Sequence, residues 1–371
     1  MQFWPGFHRT DGPREPVSGH PNFRSLLILT QAATILVTWP LWQMRDTPPM
    51  LPAASLPQLD MGLLLLGSLA LIAVAPKTGL AVHTMLVGAA ISLDQMRLQP
   101  PIISQVLLLW STLPGRSAAT IGRAHLLALW FYAGAYKLLS PYYLDGDLRW
   151  LLRELYPAAT DGMCLVFALG VAGTELALAI GVCCRATRRL AGPLVYVFHL
   201  GILLSLSPLG IGWDPGVWAW NFALAVSGLV LIRSWETRML DDLNAAPAWT
   251  TAVVAVLLLS PLGYSFGLVD TCFCHLLYSN HVPLARIHTA HGSHPIDTRR
   301  QLNVPVPQMH RLYRAHFQAV AAPQDRLQIV DPRWWYRHSG RETRWYGVAT
   351  PPRPGVAQGR NAEHAQRYLT N

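Results

Sequence analysis

One lysine in this sequence stands where a cation is costly. Lys137 lies inside the run WFYAGAYKLLSPYYLDGDLRW, Trp130–Trp150, and only one other lysine, Lys77, occurs in the chain. An ammonium in an apolar helix either reaches the interface along its flexible stem or faces a polar interior. In the second case burial favours the neutral amine, which is what a base requires. Glu175 sits in the middle of another apolar run, where a carboxylate costs about 3 kcal/mol on the mildest scale; it can pair with Lys137, His199 or an arginine, or hold a proton. His199, in the pair Phe198-His199, is either a catalytic partner or a core histidine bonded to a neighbouring helix. Asp94 and Arg97 stand three apart between two apolar runs and can act at a site or join in a loop-ordering salt bridge. Trp213 and Asp214 follow a turn.

These groups must be held by membrane helices. Of 371 residues 51% are hydrophobic and 13% charged, against ~25% charged in ordinary soluble domains. The mean hydropathy is +0.26. We expect an all-α polytopic membrane protein of about nine transmembrane helices with a small C-terminal extramembrane tail, α+β or irregular. The helices fall near 23–44, 61–75, 80–93, 102–113, 124–140, 163–184, 190–207, 217–232 and 249–268. Several are shorter than the ~20 residues of an upright span, which implies tilt or partial burial. Residues 1–22 read as an N-terminal arm, too polar for a cleaved signal peptide, 23–268 as the bundle and 269–371 as the tail. The aromatic stretch 141–161 suits a segment lying in the interface.

The tail carries 13 Arg against 6 Asp and Glu, which points to lipid headgroups or an acidic protein partner and not to nucleic acid. It opens with Cys272, Cys274 and His275, then His281, His288, His291 and His294. Such residues can ligate zinc or copper, but the spacing fits no recognised motif and no metal is assigned. Five cysteines are too few for a disulfide framework. Gly134, Gly173 and Gly181 suit close helix packing. Residues 302–321 read as an extended start followed by an amphipathic helix, and 327–330 as a strand.

AGAYKLLSPYYLDG (Ala133–Gly146) resembles the lysine-bearing segment of the vitamin K-dependent γ-carboxylase and its bacterial relatives, the horizontally transferred transmembrane (HTTM) domain. TELALAIGVCCRATRRLAG followed by VYVFHLGILLSLSPLGIGW is similar to the family's later pattern of an acidic helix, an arginine turn and a Phe-His helix. The resemblance covers roughly residues 20–235, and the pieces LLYSN and LNVPVPQMHRLYRAHF look like the tails of short bacterial members. It implies that Lys137 is the base that deprotonates a reduced quinone, the cofactor it suggests, and that His199 is the family histidine. The carboxylase's long substrate-docking part has no counterpart here. The resemblance thus implies a lysine-base enzyme, carboxylase- or lyase-like or quinone-linked, acting on a quinone-like or lipid substrate. The alternative is a non-catalytic membrane partner or scaffold whose basic tail docks another protein or anionic lipid.

Counting Lys and Arg outside the nine runs, with Arg24 at the start of the first taken with the arm, the side holding the N-terminal arm has eleven and the other, without the long tail, four. The positive-inside rule then places the N-terminus in the cytoplasm and the tail on the periplasmic side of an inner membrane. Lys137, His199, Trp213, Asp94 and Arg97 all fall toward the outer side, with Glu175 mid-membrane, as a pocket open to the outer leaflet requires. Reporter fusions after Ser234 and Asp270 test this arrangement: the first is expected to report cytoplasm and the second the outer side, and a cytoplasmic signal from the second would overturn it.

Overall fold

The computed structural model describes residues 21–53, 57–140, 142–144, 146–276 and 278–348. Residues 1–20 of the expected arm, the end of the basic tail from 349 and four short internal pieces lie outside the described residues. Each of the nine apolar runs is helical over most of its length. The first becomes α1 (Pro21–Val37) and a short α2 (Trp39–Trp42), followed by α3 (Gly62–Val74), α4 (Pro76–Leu93), α5 (Pro100–Trp110) and α6 (Arg116–Leu139). Pro76 and Pro100 open their helices, where a missing N–H breaks no bond. Next come α7 (Asp147–Leu155), α8 (Asp161–Cys183), α9 (Arg188–Leu206), α10 (Trp218–Arg233), α11 (Met239–Asn244) and α12 (Ala248–Leu259). Thr160 caps α8 by accepting from the Met163 N–H.

Length and composition mark four helices among the described residues as able to cross a membrane: 161–183, 188–206, 215–233 and 248–266. The other runs are shorter or more polar. Helix α3 has 13 residues and α5 has 11. Helix α6 has 24 but carries Arg116, Arg123, His125 and Lys137. The segment expected at the interface contains α7, which lays Leu148 against α8 and leaves Trp150 half-exposed.

Small residues set the closest helix approaches. On α8 the buried stripe is Cys164, Ala168, Ala172, Glu175, Ala179 and Val182, at the three-and-four spacing of one helix face. It packs on α6, where a Cβ added to Gly134 would lie 2.7 Å from the Ala172 carbonyl oxygen. A Cβ added to Gly228 of α10 would lie 2.2 Å from Val195 Cγ1 of α9. Of the glycines expected at interfaces, Gly173 faces open space and Gly181 makes only ordinary contact.

The tail is a four-stranded antiparallel sheet in the order β2-β1-β3-β4: β1 (Leu284–Thr289), β2 (Gly292–Pro295), β3 (Arg326–Val330) and β4 (Thr343–Gly347). The strand expected at 327–330 is β3. The expected amphipathic helix over 302–321 divides into α13 (Arg299–Leu302), an extended link with Pro305 and Pro307, and α14 (His310–Val320). A last short helix is α15 (Trp334–His338). Leu312, Tyr313 and Phe317 of α14 share one apolar core with Ile287, Leu327 and Ile329 of the sheet and with Trp42 and Leu98 of the bundle. Polar contacts fasten the same junction. The Asn303 side chain donates to the Val37 carbonyl at 2.8 Å and the Gln99 side chain to the Pro305 carbonyl at 2.9 Å.

Asp331 is the tail's charged centre. Arg333 donates to it from Nε at 2.9 Å and from Nη2 at 2.6 Å, and His310 Nε2 lies 2.5 Å from the same carboxylate. Burial disfavours charge on Asp331, but these bonds outweigh it and lower its pKa to about 2. The Arg333 guanidinium also lies over the rings of Tyr264 and Tyr336, joining the extension of α12 to α15. Because the folded pKa lies below the unfolded value of ~3.9, the carboxylate's contribution is complete above that value and is lost as pH falls toward about 2. Asp331→Asn leaves Arg333 buried beside a neutral partner and is expected to cost about 3–5 kcal/mol at neutral pH. Thermal unfolding reads this directly, and an unchanged midpoint would show the network to be dispensable.

Candidate functional site

The expected polar groups separate into one paired couple at a cavity and three structural settings around it. Lys137 ends α6 on the face that meets α8. Its Nζ donates to both carboxylate oxygens of Glu175, at 2.8 and 2.7 Å. Lys137 is 4% exposed and Glu175 6%, so the lysine does not snorkel to a surface. It stands in the last turn of α6. Glu175 stands fourteen residues after Asp161, ~21 Å along α8. Helix α8 therefore runs well past the end of α6, and Tyr143 and α7 cover that extra length. The Tyr143 hydroxyl donates to the Ala168 carbonyl at 2.9 Å. Gly134, one turn before Lys137, allows the two backbones to come close enough for the pair to form.

The pair forms the polar end of a cavity of about 460 Å³. Leu148 and Leu151 of α7 line it, with Phe167, Val171 and Thr174 of α8 and Phe198, Ile202 and Ser205 of α9. Gly170, Val197 and Gly201 also line it and are exposed on the outer faces of α8 and α9, so the cavity opens sideways between two helices of membrane-spanning length. Its other side is closed by rings. Trp213 packs edge-on against Trp150 at 5.2 Å and beside Tyr278 of the tail at 5.4 Å. Arg299 lies 4.9 Å over the Trp213 ring, and the Tyr278 hydroxyl donates to Asp214 at 2.9 Å.

His199 is near the cavity but not on its wall. The Trp130 indole N–H donates to His199 Nε2 at 2.9 Å, and Nδ1 lies 3.1 Å from Asn221 Oδ1. The Asn221 amide in turn donates to the Val217 carbonyl at 3.0 Å. That directionality assigns a neutral ring with its proton on Nδ1, both nitrogens being occupied. Trp130 and Lys137 are seven residues apart on one stripe of α6, two turns or ~10 Å, so His199 joins α6 to α9 and α10 below the pair. Of the partners open to Glu175, the structure selects Lys137, and the expectation that His199 acts in the same pocket is corrected, because both its nitrogens are bonded elsewhere. Trp213 lines the cavity as expected, Trp130 serves His199, and Tyr136 faces the α12 side, where its hydroxyl donates to the Pro261 carbonyl.

Asp94 and Arg97 are brought together but not to the cavity. Asp94 is fully buried, paired with Arg45, and accepts from the N–H groups of Leu51 and Met96 at 3.0 and 3.1 Å. Arg97 spends its guanidinium on the Leu41 and Trp42 carbonyls at 3.0 and 3.2 Å, and its Nε is 3.9 Å from Asp94. The two close the end of α2 onto α4, the loop-ordering role. In the tail, no three His, Cys, Asp or Glu side chains among the described residues converge as a metal set. His281 stacks on Tyr136, His288 bonds Gln328, and Cys272 and Cys274 are free thiols. Asn221 and Arg45 are the partners the sequence reading missed. Asn221 was visible as a lone amide in an apolar run, whereas Arg45 lies 49 residues from Asp94 with no local signal.

Comparison with protein-family models, with curated proteins and with solved structures found no match for the chain.

A buried ion pair responds asymmetrically to mutation, because removing one partner strands the other. Glu175→Gln, which leaves the Lys137 ammonium without its carboxylate, is expected to cost about 3–5 kcal/mol. Lys137→Met combined with Glu175→Leu is expected to cost less than either Lys137→Met or Glu175→Gln alone. Thermal unfolding of the three variants measures this, and a double variant no better than the singles would mean that the two groups are not coupled.

Proposed function

We propose that the chain is a membrane-embedded enzyme of the type its lysine segment resembles. Lys137 acts as base on a quinone-like or lipid substrate that lies in the lateral cavity. The observation that carries this reading is the Lys137–Glu175 pair at the polar end of an apolar cavity, between helices of membrane-spanning length. In the ion pair Lys137 holds the one proton that the couple shares, and passing it to Glu175 gives the amine and the carboxylic acid. In that form the couple presents Lys137 to a substrate hydroxyl; the amine takes the hydroxyl proton and becomes an ammonium. Glu175 keeps its own proton, and the substrate is left as an oxyanion beside the new cation. Charge is conserved within the pocket, and the apolar walls strengthen the attraction. In this reading His199 is a positioning residue, holding Trp130 and with it the stripe of α6 that ends in Lys137. Trp213 lines the pocket, and Asp94 and Arg97 order the chain at the end of α2, away from it.

The same reading takes the protein to be in an inner membrane with nine spans, the N-terminus in the cytoplasm, and the tail and the cavity mouth at the outer leaflet. The four helices of membrane-spanning length support the membrane part of this. The charge count of the loops supports the orientation.

The test begins with solvent extraction of the purified protein and identification of any bound quinone or lipid. Turnover of that compound is then measured in Lys137→Arg, which keeps a cation for Glu175 but cannot serve as a base. The expected result is a folded protein that retains the compound and loses about 10²–10⁴-fold in rate. Full activity in Lys137→Arg would remove Lys137 from the chemistry. A protein that yields no compound on extraction, and whose variants differ only in stability, would favour a structural ion pair in a membrane scaffold.

A further inference from the structure

Two of the tail's half-exposed tryptophans are neighbours on one short helix. Trp334 and Trp335 of α15 are each 49% exposed, although fully solvated indoles are costly in water. Trp334 packs edge-on against Phe266 at 5.9 Å, the last residue of the 3₁₀ extension that continues α12. Helix α15 is seated there closely: Gly267 turns with φ +75°, and a Cβ on it would lie 2.9 Å from the Tyr336 hydroxyl oxygen. The two indoles therefore sit beside the end of a helix of membrane-spanning length.

That helix carries an outward apolar stripe, Val256, Leu259, Leu262 and Phe266, at spacings of three and four, each at least half exposed. Trp249 stands at its start, 57% exposed. From Trp249 to Phe266 the chain rises roughly 30 Å, about 1.5 Å per residue in α12 and 2.0 Å in the extension. This equals the hydrocarbon thickness of a bilayer. Membrane helices are bordered at both interfaces by Trp and Tyr, whose rings suit the boundary of headgroup and hydrocarbon. Trp249 supplies one border. At the other end the helix has no tryptophan of its own, and Trp334 and Trp335 occupy that level. Arg337, His338 and Arg341, all exposed, follow them at the level where lipid phosphates would lie.

We infer that α15 is an interfacial anchor: its indoles lie in the headgroup boundary of the bilayer that α12 crosses, so that the tail is fixed to the membrane surface at two places. The partner is the phospholipid surface itself. The inference rests on 248–266 crossing the bilayer, not on the chemistry proposed for Lys137.

The test uses the full chain in phosphatidylcholine nanodiscs, with Cys183 and Cys184 changed to Ala and Cys164, Cys272 and Cys274 left in their buried places. Single cysteines are introduced as Trp335→Cys, Trp334→Cys, Leu262→Cys and His291→Cys, each labelled with an environment-sensitive fluorophore. Quenching is read with lipids spin-labelled near the top of the acyl chain. Labels at 334 and 335 are expected to emit at blue-shifted wavelengths and lose most of their emission, as at 262, while the label at 291 loses none. Two labelled positions in α15 guard against one variant failing to fold. Quenching at 262 with water-like emission at 334 and 335 would overturn the anchor while leaving the span intact. A label at 262 that is not quenched would overturn the span as well. A blue shift at 335 that lipid quenchers leave untouched would mean that a protein surface covers α15, and would overturn the lipid assignment.

Discussion

A carboxylate and an ammonium buried side by side between α6 and α8 constrain this molecule more than any other contact. Neither charge can be left alone at that depth, so the two helices must be in register to within the reach of one hydrogen bond. The register in turn demands backbone contact, which Gly134 and the small-residue stripe of α8 allow. With α6 fixed, α8 projects beyond its end, and Tyr143 and α7 fold over that projection. The cavity is the space left where α9 does not close against α8, and the ion pair is its floor.

The tail belongs to the same arrangement. Its core is continuous with that of the bundle, and Tyr278 and Arg299 complete the ring cluster around Trp213 that closes the cavity away from the lipid-facing side. The Asp331–Arg333–His310 network holds the start of α15 to the 3₁₀ extension of α12 through Tyr264. An apolar chamber with one charged couple, closed by aromatic rings and open between two apolar helices, suits an amphiphile better than a water-soluble substrate.

Much of this was legible in the residues. Apolar runs located the nine helical segments, because a 3.6-residue period and length leave few alternatives. The cost of burying a carboxylate singled out Glu175, and the lone lysine singled out Lys137. What the sequence hid was pairing across helices. Whether Glu175 faced His199 or Lys137 depends on rotation about α8, which a nearly uniform apolar sequence does not fix. Lys137 stands in the last turn of α6, but that α8 continues beyond this end is set by the packing and not by the length of either run. Asp94 and Arg97 looked like a local pair, but the stronger partner is Arg45, brought in by the fold. His199 looked chemical because histidine titrates near neutrality, yet Trp130 and Asn221 occupy both its nitrogens. In the tail, proline at 305 and 307 marked the break before α14, and the alternating burial of β3 was visible in Leu327 and Ile329.

The central claim is that the Lys137–Glu175 couple is the polar terminus of a ligand chamber and not merely a brace between helices. An experimental structure of the full chain in a lipid nanodisc tests it most directly. The expected result is non-protein density filling the lateral cavity, its polar end within hydrogen-bond distance, about 3 Å, of Lys137 Nζ or a Glu175 oxygen. A chamber filled by rearranged protein side chains, or Lys137 turned away from Glu175 into the headgroup region, would contradict it.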